Sequence, residues 1–232
     1  MEARCEYKYL LDKAAAKILC DKISSKLEPD EYGKGAPYII SIIYYDTPEH
    51  KLYQQTFDRV PIRYKLRLRV YGEDNSSAST SFFEIKSKHH GLSTKRRLRL
   101  PLESNEMIRS GLQARYNSLE DEKLANDIIY LFGKDRLSEA SVVSYERLAF
   151  CLNDATRLRV TFDSKLRIRT EDFDLRNGSY GNAVMGDECV LEVKSCGDIP
   201  TWLKSLIREY NLINTSYSKY GKTDFSSISE EK

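Results

Sequence analysis

The chain of 232 residues is short of most features that announce a function. It has no long hydrophobic run. The longest uncharged, mostly apolar stretch is Tyr38–Tyr45, far below the twenty or so residues a spanning helix needs. Charges occupy Met1–Leu11, where a secretory signal would carry an apolar core. Five cysteines form no CxxC pair and are odd in number, which speaks for a reduced, cytoplasmic protein rather than a disulfide framework. Three histidines, two of them adjacent, exclude a His-rich zinc centre and multiple His-based acid–base steps. There is no Walker loop, helix-turn-helix or zinc-finger spacing, and no internal repeat.

What is present is charge with a pattern. The net charge of +2 names no partner, but its distribution is uneven. Ten basic residues lie between Arg63 and Arg99, opposed only by Glu73, Asp74 and Glu84. Such a segment in a near-neutral chain implies an anion to hold.

Helical periodicity is sparse. It covers Asp12–Leu27 with Asp12 as N-cap, a short piece at Ser104–Ser110, Ser118–Phe132 stopped by Gly133, and Pro200–Tyr210. The remainder reads as strands: 5–10, 39–45, 62–71, 81–88, 94–102, 141–152, 156–163, 165–170 and 188–195. Hairpin-length gaps favour antiparallel pairing over βαβ winding. The stretch 73–80 reads as a hairpin loop, and residues 223–232 as a flexible polar tail behind a single catalytic domain over 1–222.

Side chains alternate between the two faces of a strand. Arg63, Lys65, Arg67 and Arg69 share one face, and Ile62, Tyr64, Leu66, Leu68 and Val70 the other. The same alternation sets Lys86 and Lys88 against Ile85, Lys95, Arg97 and Arg99 against Leu98 and Leu100, and Arg157 and Arg159 against Leu158 and Val160. It also sets Lys165, Arg167 and Arg169 against Leu166 and Ile168, Lys194 against Val193, and Lys8 against Tyr7 and Tyr9. A solvated face mixes signs, and like charges opposite each other on paired strands repel. A sheet so loaded calls for an anion among its cations. The fold expected is α+β: an antiparallel β-barrel tunnel of about eight strands, basic in its lumen and covered outside by helices. Glu6, Glu84 and Glu192 interrupt the basic phase, each two residues before a lysine. Carboxylates beside phosphates point to a bridging Mg²⁺ or Mn²⁺, and they nominate all three as metal ligands. The tyrosines, such as Tyr7, Tyr9 and Tyr64, fall mainly in the apolar phase. Base-stacking on the basic face, and so a nucleic-acid partner, is not expected.

In order, the segments RCEYKYLL (4–11), SIIYYDTPEHKLY (41–53), YKLRLRVYG (64–72), FFEIKSK (82–88), STKRRLRL (93–100), SYERLAF (144–150), TRLRVTFDSKL (156–166), VLEVKS (190–195) and SYSKYGK (216–222) resemble the triphosphate tunnel metalloenzyme superfamily. They are most similar to its VTC branch, the catalytic domain of polyphosphate polymerases. The resemblance implies a metal-dependent phosphoryl transferase that builds inorganic polyphosphate from the terminal phosphate of ATP. A triphosphatase of the same superfamily and a non-catalytic polyanion binder stay open. It implies catalytic roles for Arg67, Arg69, Lys86 and Arg147, and phosphate binding by Lys8, Lys95, Arg159, Lys194 and Lys219. Glu192 corresponds to the metal-holding glutamate. Strand phase adds Lys65, Arg97 and Arg157 to the phosphate-binding set. Ser216 departs from the pattern, standing where a lysine is expected, and Glu6 belongs to the wider superfamily. Neither a regulatory SPX domain nor a membrane segment is in the sequence.

Overall fold

The computed structural model describes residues 4–73, 75–76, 79–111, 116–154 and 156–225. Part of the loop expected over 73–80, and the tail beyond Phe225, lie outside these residues. The strands are β1 (Arg4–Leu11), β2 (Glu28–Pro29), β3 (Tyr38–Asp46), β4 (Ile62–Tyr71), β5 (Thr80–His89), β6 (Leu92–Pro101), β7 (Ser138–Cys151), β8 (Arg159–Arg169), β9 (Asn182–Ala183) and β10 (Cys189–Cys196). The helices are α1 (Lys13–Ser24), α2 (Lys51–Phe57), α3 (Asn105–Arg109), α4 (Leu119–Asp135) and α5 (Thr201–Glu209). The class is α+β, with eight principal strands in antiparallel pairing, as expected. The chain divides into two compact units, and β7 and β8 each run through both.

The first unit comprises residues 1–39, 145–167 and 183–218. Its strand order is β1-β10-β8-β7, with β2 pairing to the end of β7. Its apolar face carries Tyr9, Leu11, Val160, Phe162, Leu191 and Val193, all buried. Leu19 and Ile23 of α1 and Leu203 and Leu206 of α5 close over that face in one core. Helix α1 is capped by Asp12, whose Oδ1 accepts the Ala15 N–H at 2.7 Å.

The second unit comprises 40–144, 168–182 and the chain from 219 onward. Its order is β7-β3-β4-β5-β6. Leu66, Leu68, Phe83, Ile85, Leu98 and Leu100 supply the apolar face, packed under Leu124, Ile128 and Phe132 of α4. Helix α4 overruns the expected stop at Gly133 and ends at Asp135, with Arg136 in a left-handed cap.

Three local features differ from the sequence reading. The two strands expected over 156–163 and 165–170 are one strand, β8, that starts only at Arg159. Within it Lys165 has φ 52°, a left-handed residue that breaks the alternation. Asp163 therefore pairs with Arg147 while Lys165 pairs with Glu146, the neighbour of Arg147 on the opposite face of β7. Second, α2 has no sequence signature, because its cap lies outside the helix. Buried Asp46, five residues upstream, accepts the N–H groups of Leu52 and Tyr53 at 2.8 and 2.7 Å. It also takes the Thr47 N–H and the Tyr220 hydroxyl. Third, two of the residues expected in the tail, Thr223 and Phe225, pack against the fold. Thr223 is buried, and the Phe225 ring stacks on His50 at 3.8 Å.

Asp46 joins a helix start to the C-terminal segment through four donors, so its loss strands three buried N–H groups. Asp46→Ala is expected to lower unfolding free energy by on the order of 3 kcal/mol. Urea denaturation checks this, and a loss below about 1 kcal/mol contradicts it.

Candidate active site

In the second unit the strand register stacks charge in rows. Lys65 of β4 faces Lys86 of β5, which faces Lys95 of β6. One row along, Arg67 faces Glu84, which faces Arg97. The next row is Arg69, Phe82 and Arg99. The Glu84 side chain is completely buried. Its Oε2 accepts from Arg67 Nε at 2.7 Å, with Arg69 Nη2 at 3.6 Å. Its Oε1 accepts from Arg97 Nε at 2.8 Å and Lys95 Nζ at 3.3 Å. Burial alone would push this carboxyl up, but Arg67, Arg69, Lys95 and Arg97 outweigh it and hold it well below the usual range.

Glu84 is among the three residues expected as metal ligands, and here it is paired with cations. Both oxygens are engaged by cations, so the residue is the internal counter-ion of the arginine cluster. The register predicts that role. Arg67 and Arg97 sit directly opposite Glu84 on its two flanking strands.

Aromatic rings enter the basic face too, against expectation. Tyr71 lies in phase with Arg67 and Arg69, and its hydroxyl accepts from Arg69 Nη1 at 3.4 Å and Arg97 Nη2 at 3.3 Å. The Arg97 guanidinium covers the Phe82 ring at 4.5 Å. Tyr44 takes Arg67 Nη1 at 3.4 Å and stacks on Tyr220 at 4.5 Å, and Lys65 Nζ lies 5.7 Å from the Tyr220 ring. These rings orient cations or one another. Lys219 opens the turn that carries Tyr220.

The polar face of the first unit has a different balance. Across β1 and β10, Glu6 faces Lys194 and Lys8 faces Glu192. Lys8 Nζ lies 3.2 Å from Glu6 and donates to the Tyr217 carbonyl at 2.9 Å. Lys194 is in contact with Glu192. Burial lowers Lys194, against the pull of Glu192 and Glu6. Arg147 forms a bidentate fork with Asp163 at 2.6 and 2.7 Å, both side chains buried. Arg159 donates to Asp30 Oδ2 at 2.7 Å and lies 3.3 Å from the Tyr38 hydroxyl. Four cations thus stand with four carboxylates, whereas the three rows around Glu84 set seven against one.

Asp163, Asp30, Tyr38 and Thr161 went unremarked in the sequence. Asp163 was hidden by its place in an otherwise apolar and hydroxyl-bearing stretch, VTFDS. Arg157 does not join the site. It is exposed at φ 45° in the turn before β8, so the strand phase that nominated it does not extend to it.

A divalent cation fits the first face. Among the described residues no group of three or more His, Cys, Asp and Glu could hold a metal by protein ligands alone. Magnesium-type sites need only one or two carboxylates when phosphate oxygens supply the rest. Glu192 is buried beside Thr161, its cross-strand partner, whose Oγ1 is buried with no hydrogen-bond partner. A polar ligand at Glu192 would satisfy that hydroxyl.

The fold is an α+β antiparallel sheet of eight principal strands with helices on its apolar faces. The sheet matches, over 100% of this chain and 98% of the other, a candidate adenylate cyclase from Bacillus halodurans, with a TM-score of 0.51 at 15% identity. It also matches, over 95% and 93%, a candidate adenylyl cyclase from Hippeastrum described as having a dominant triphosphatase activity, with a TM-score of 0.55 at 13% identity. The likeness at these identities is one of fold. A search of curated proteins gave no match by sequence. The VTC domain model matches residues 3–224, and the chain belongs to that family.

Two outcomes follow from the Glu84 cluster. Glu84→Gln should lower the melting temperature of the protein alone, since the cations lose their counter-charge, and should enlarge the upward shift given by tripolyphosphate. A smaller shift would reinstate Glu84 as a metal or ligand-side residue. Lys95 is lowered to about 8 by burial first, and by Arg97, Arg69 and Arg67, with Glu84 pulling the other way. A lysine lowered in the fold binds fewer protons there than in the unfolded chain. Its contribution to stability therefore rises with pH from about 8 towards its unfolded value. Anion affinity runs oppositely. Tripolyphosphate binding should weaken as pH rises through about 8. In Lys95→Arg that weakening should be reduced, as isothermal titration across the range would show; an unchanged pH profile in the variant contradicts the assignment.

Proposed function

We propose that the protein is a metal-dependent phosphoryl transferase that makes inorganic polyphosphate from the terminal phosphate of ATP. One observation carries the reading. Seven cations are held in register around a single carboxylate, and a separate face offers carboxylates in balance with cations. The first suits a chain of phosphate oxygens and the second a cation that travels with phosphate.

Roles follow from the chemistry. Arg67, Arg69 and Arg97 present planar forks, kept apart and aimed by Glu84 and Tyr71, to non-bridging oxygens. Lys65, Lys86 and Lys95 lie in one row across β4, β5 and β6 and act as point charges on the phosphate chain. Arg147, locked by Asp163, keeps one orientation and requires little reorganisation when charge builds on the transferring group. Lys8, Lys194, Arg159 and Lys219 bind further phosphate oxygens. Glu192, with Glu6, holds Mn²⁺ or Mg²⁺, which when bound neutralises phosphate charge and stabilises the leaving diphosphate. No protein nucleophile is needed, since phosphoryl transfer depends on in-line positioning and charge. ATP and inorganic polyphosphate are the partners, not nucleic acid, because the rings on the basic face are committed to protein cations and to one another. The compartment is the cytoplasm, on the odd cysteine count without a CxxC pair.

A triphosphatase differs only in using water as acceptor. The activity described for the Hippeastrum relative, and Ser216 in place of a lysine, favour it as the second reading. Incubation with ATP and Mn²⁺ or Mg²⁺, with products resolved by size, separates them. Long chains support the polymerase, free phosphate alone supports the hydrolase, and no turnover leaves a polyanion binder. Glu192→Gln should reduce metal-dependent turnover at least about a hundredfold with the melting temperature nearly unchanged. Wild-type turnover in that variant at saturating metal removes Glu192 from the site.

A further inference from the structure

The end of the second unit formed by the start of β4 and the β5–β6 hairpin is built unlike a solvated tip. His90 and Gly91 both have positive φ, 46° and 91°, the geometry of a tight two-residue hairpin turn. The turn joins His89 directly to Leu92, and the register places Ile62, His89 and Leu92 in one row across the three strands. The His90 N–H donates to the Pro61 carbonyl at 3.0 Å, tying the turn to β4. Leu92 is nevertheless 74% exposed, Ile62 56% and Phe57, the last residue of α2, 68%. A rigid turn thus presents apolar side chains to solvent on a convex edge, where a polar turn would suffice.

The charge beside them is of one sign. From Gln54 to Lys65 and from Lys86 to Arg99 the chain carries Arg59, Arg63, Lys65, Lys86, Lys88, Lys95, Arg96, Arg97 and Arg99 against one acid, Asp58. Asp58 accepts from Gln54, and Arg96 is paired with Asp127 of α4. Arg63 and Lys88, paired across β4 and β5, form the next row, on the opposite face of the sheet, and Arg59 lies in the turn before β4. Exposed apolar groups at a sheet end whose neighbouring row is cationic have the chemistry that enters the headgroup region of an anionic bilayer.

We propose that this tip is a peripheral docking surface for an anionic lipid membrane, with Phe57, Ile62 and Leu92 inserting and Arg59, Arg63 and Lys88 contacting headgroups. It requires no spanning segment, and no described helix is long and apolar enough to be one. The proposal is independent of which phosphoryl transfer the protein performs.

The test is co-sedimentation of the full chain with vesicles of phosphatidylcholine, alone or with about one third phosphatidylserine. Each measurement is made without and with saturating tripolyphosphate, which fills the basic face. Binding is expected to the anionic vesicles only and to weaken with salt. The pair Ile62→Ser and Leu92→Ser should reduce it at least about fivefold while the tripolyphosphate-induced rise in melting temperature is kept. That retained rise shows the variant is folded. Absence of binding to anionic vesicles overturns the proposal. So does binding that the double variant retains and tripolyphosphate abolishes, because headgroups would then be entering the phosphate site as simple anions. Dimerisation of the wild type that Leu92→Ser removes, without vesicle binding, would reassign the tip to self-association.

Discussion

The opposed cations of β4, β5 and β6 set the central constraint on this structure. Antiparallel register puts Lys65, Lys86 and Lys95 face to face, and brings Arg67 and Arg97 onto either side of one position. Like charges at that spacing destabilise a sheet. The position between the two arginines is Glu84, buried and reached by four cations. Without a carboxylate there the strands would repel; with more carboxylates the face would no longer attract an anion. One acid among seven bases in these rows holds the sheet together and leaves an excess of positive charge.

The apolar side of the same strands gives the constraint its rigidity. Leu66, Phe83 and Leu98 alternate with the charged residues and are buried under α4. A one-residue slip would turn every cation into the core, so the hydrophobic pattern fixes the charge rows as firmly as any ion pair. Asp46 acts similarly on a smaller scale. Its carboxylate starts α2 and holds the Tyr220 hydroxyl, and Tyr220 stacks on Tyr44, which meets Arg67. The geometry of the arginine cluster is thus tied to backbone N–H groups between about fourteen and twenty residues before Arg67 in sequence.

Strand alternation made most of the fold and the basic face legible from the sequence. Ile62–Tyr71 and the flanking runs repeat a period of two with one sign of charge. It failed where the backbone leaves that period. Arg157 and Lys165 both adopt positive φ, and neither β-branching nor glycine marks those positions. Helix α2 was invisible because its capping carboxylate stands outside the usual N-cap position. Asp163 and Asp30 were missed because a lone acid reveals its arginine only when the strands are paired. The aromatic content of the basic face was underestimated for the same reason. Tyr71 is in phase with Arg69 by simple counting, but Tyr44 and Tyr220 arrive from other elements.

The three Glu-x-Lys segments show the limit of a motif most clearly. Glu6-Tyr7-Lys8, Glu84-Ile85-Lys86 and Glu192-Val193-Lys194 are alike in sequence, and read alone each nominates a metal ligand. Their cross-strand partners divide them. Glu84 lies between two arginines and is consumed as a counter-ion. Glu192 lies between Lys8 and Thr161 on its flanking strands and is in contact with Lys194 of its own strand. Glu6 faces Lys194 on its paired strand. Arginine forks hold a carboxylate in two directions at once, whereas a lysine amine is a single point charge. The residues opposite a glutamate, and not the motif alone, decide which cations it meets.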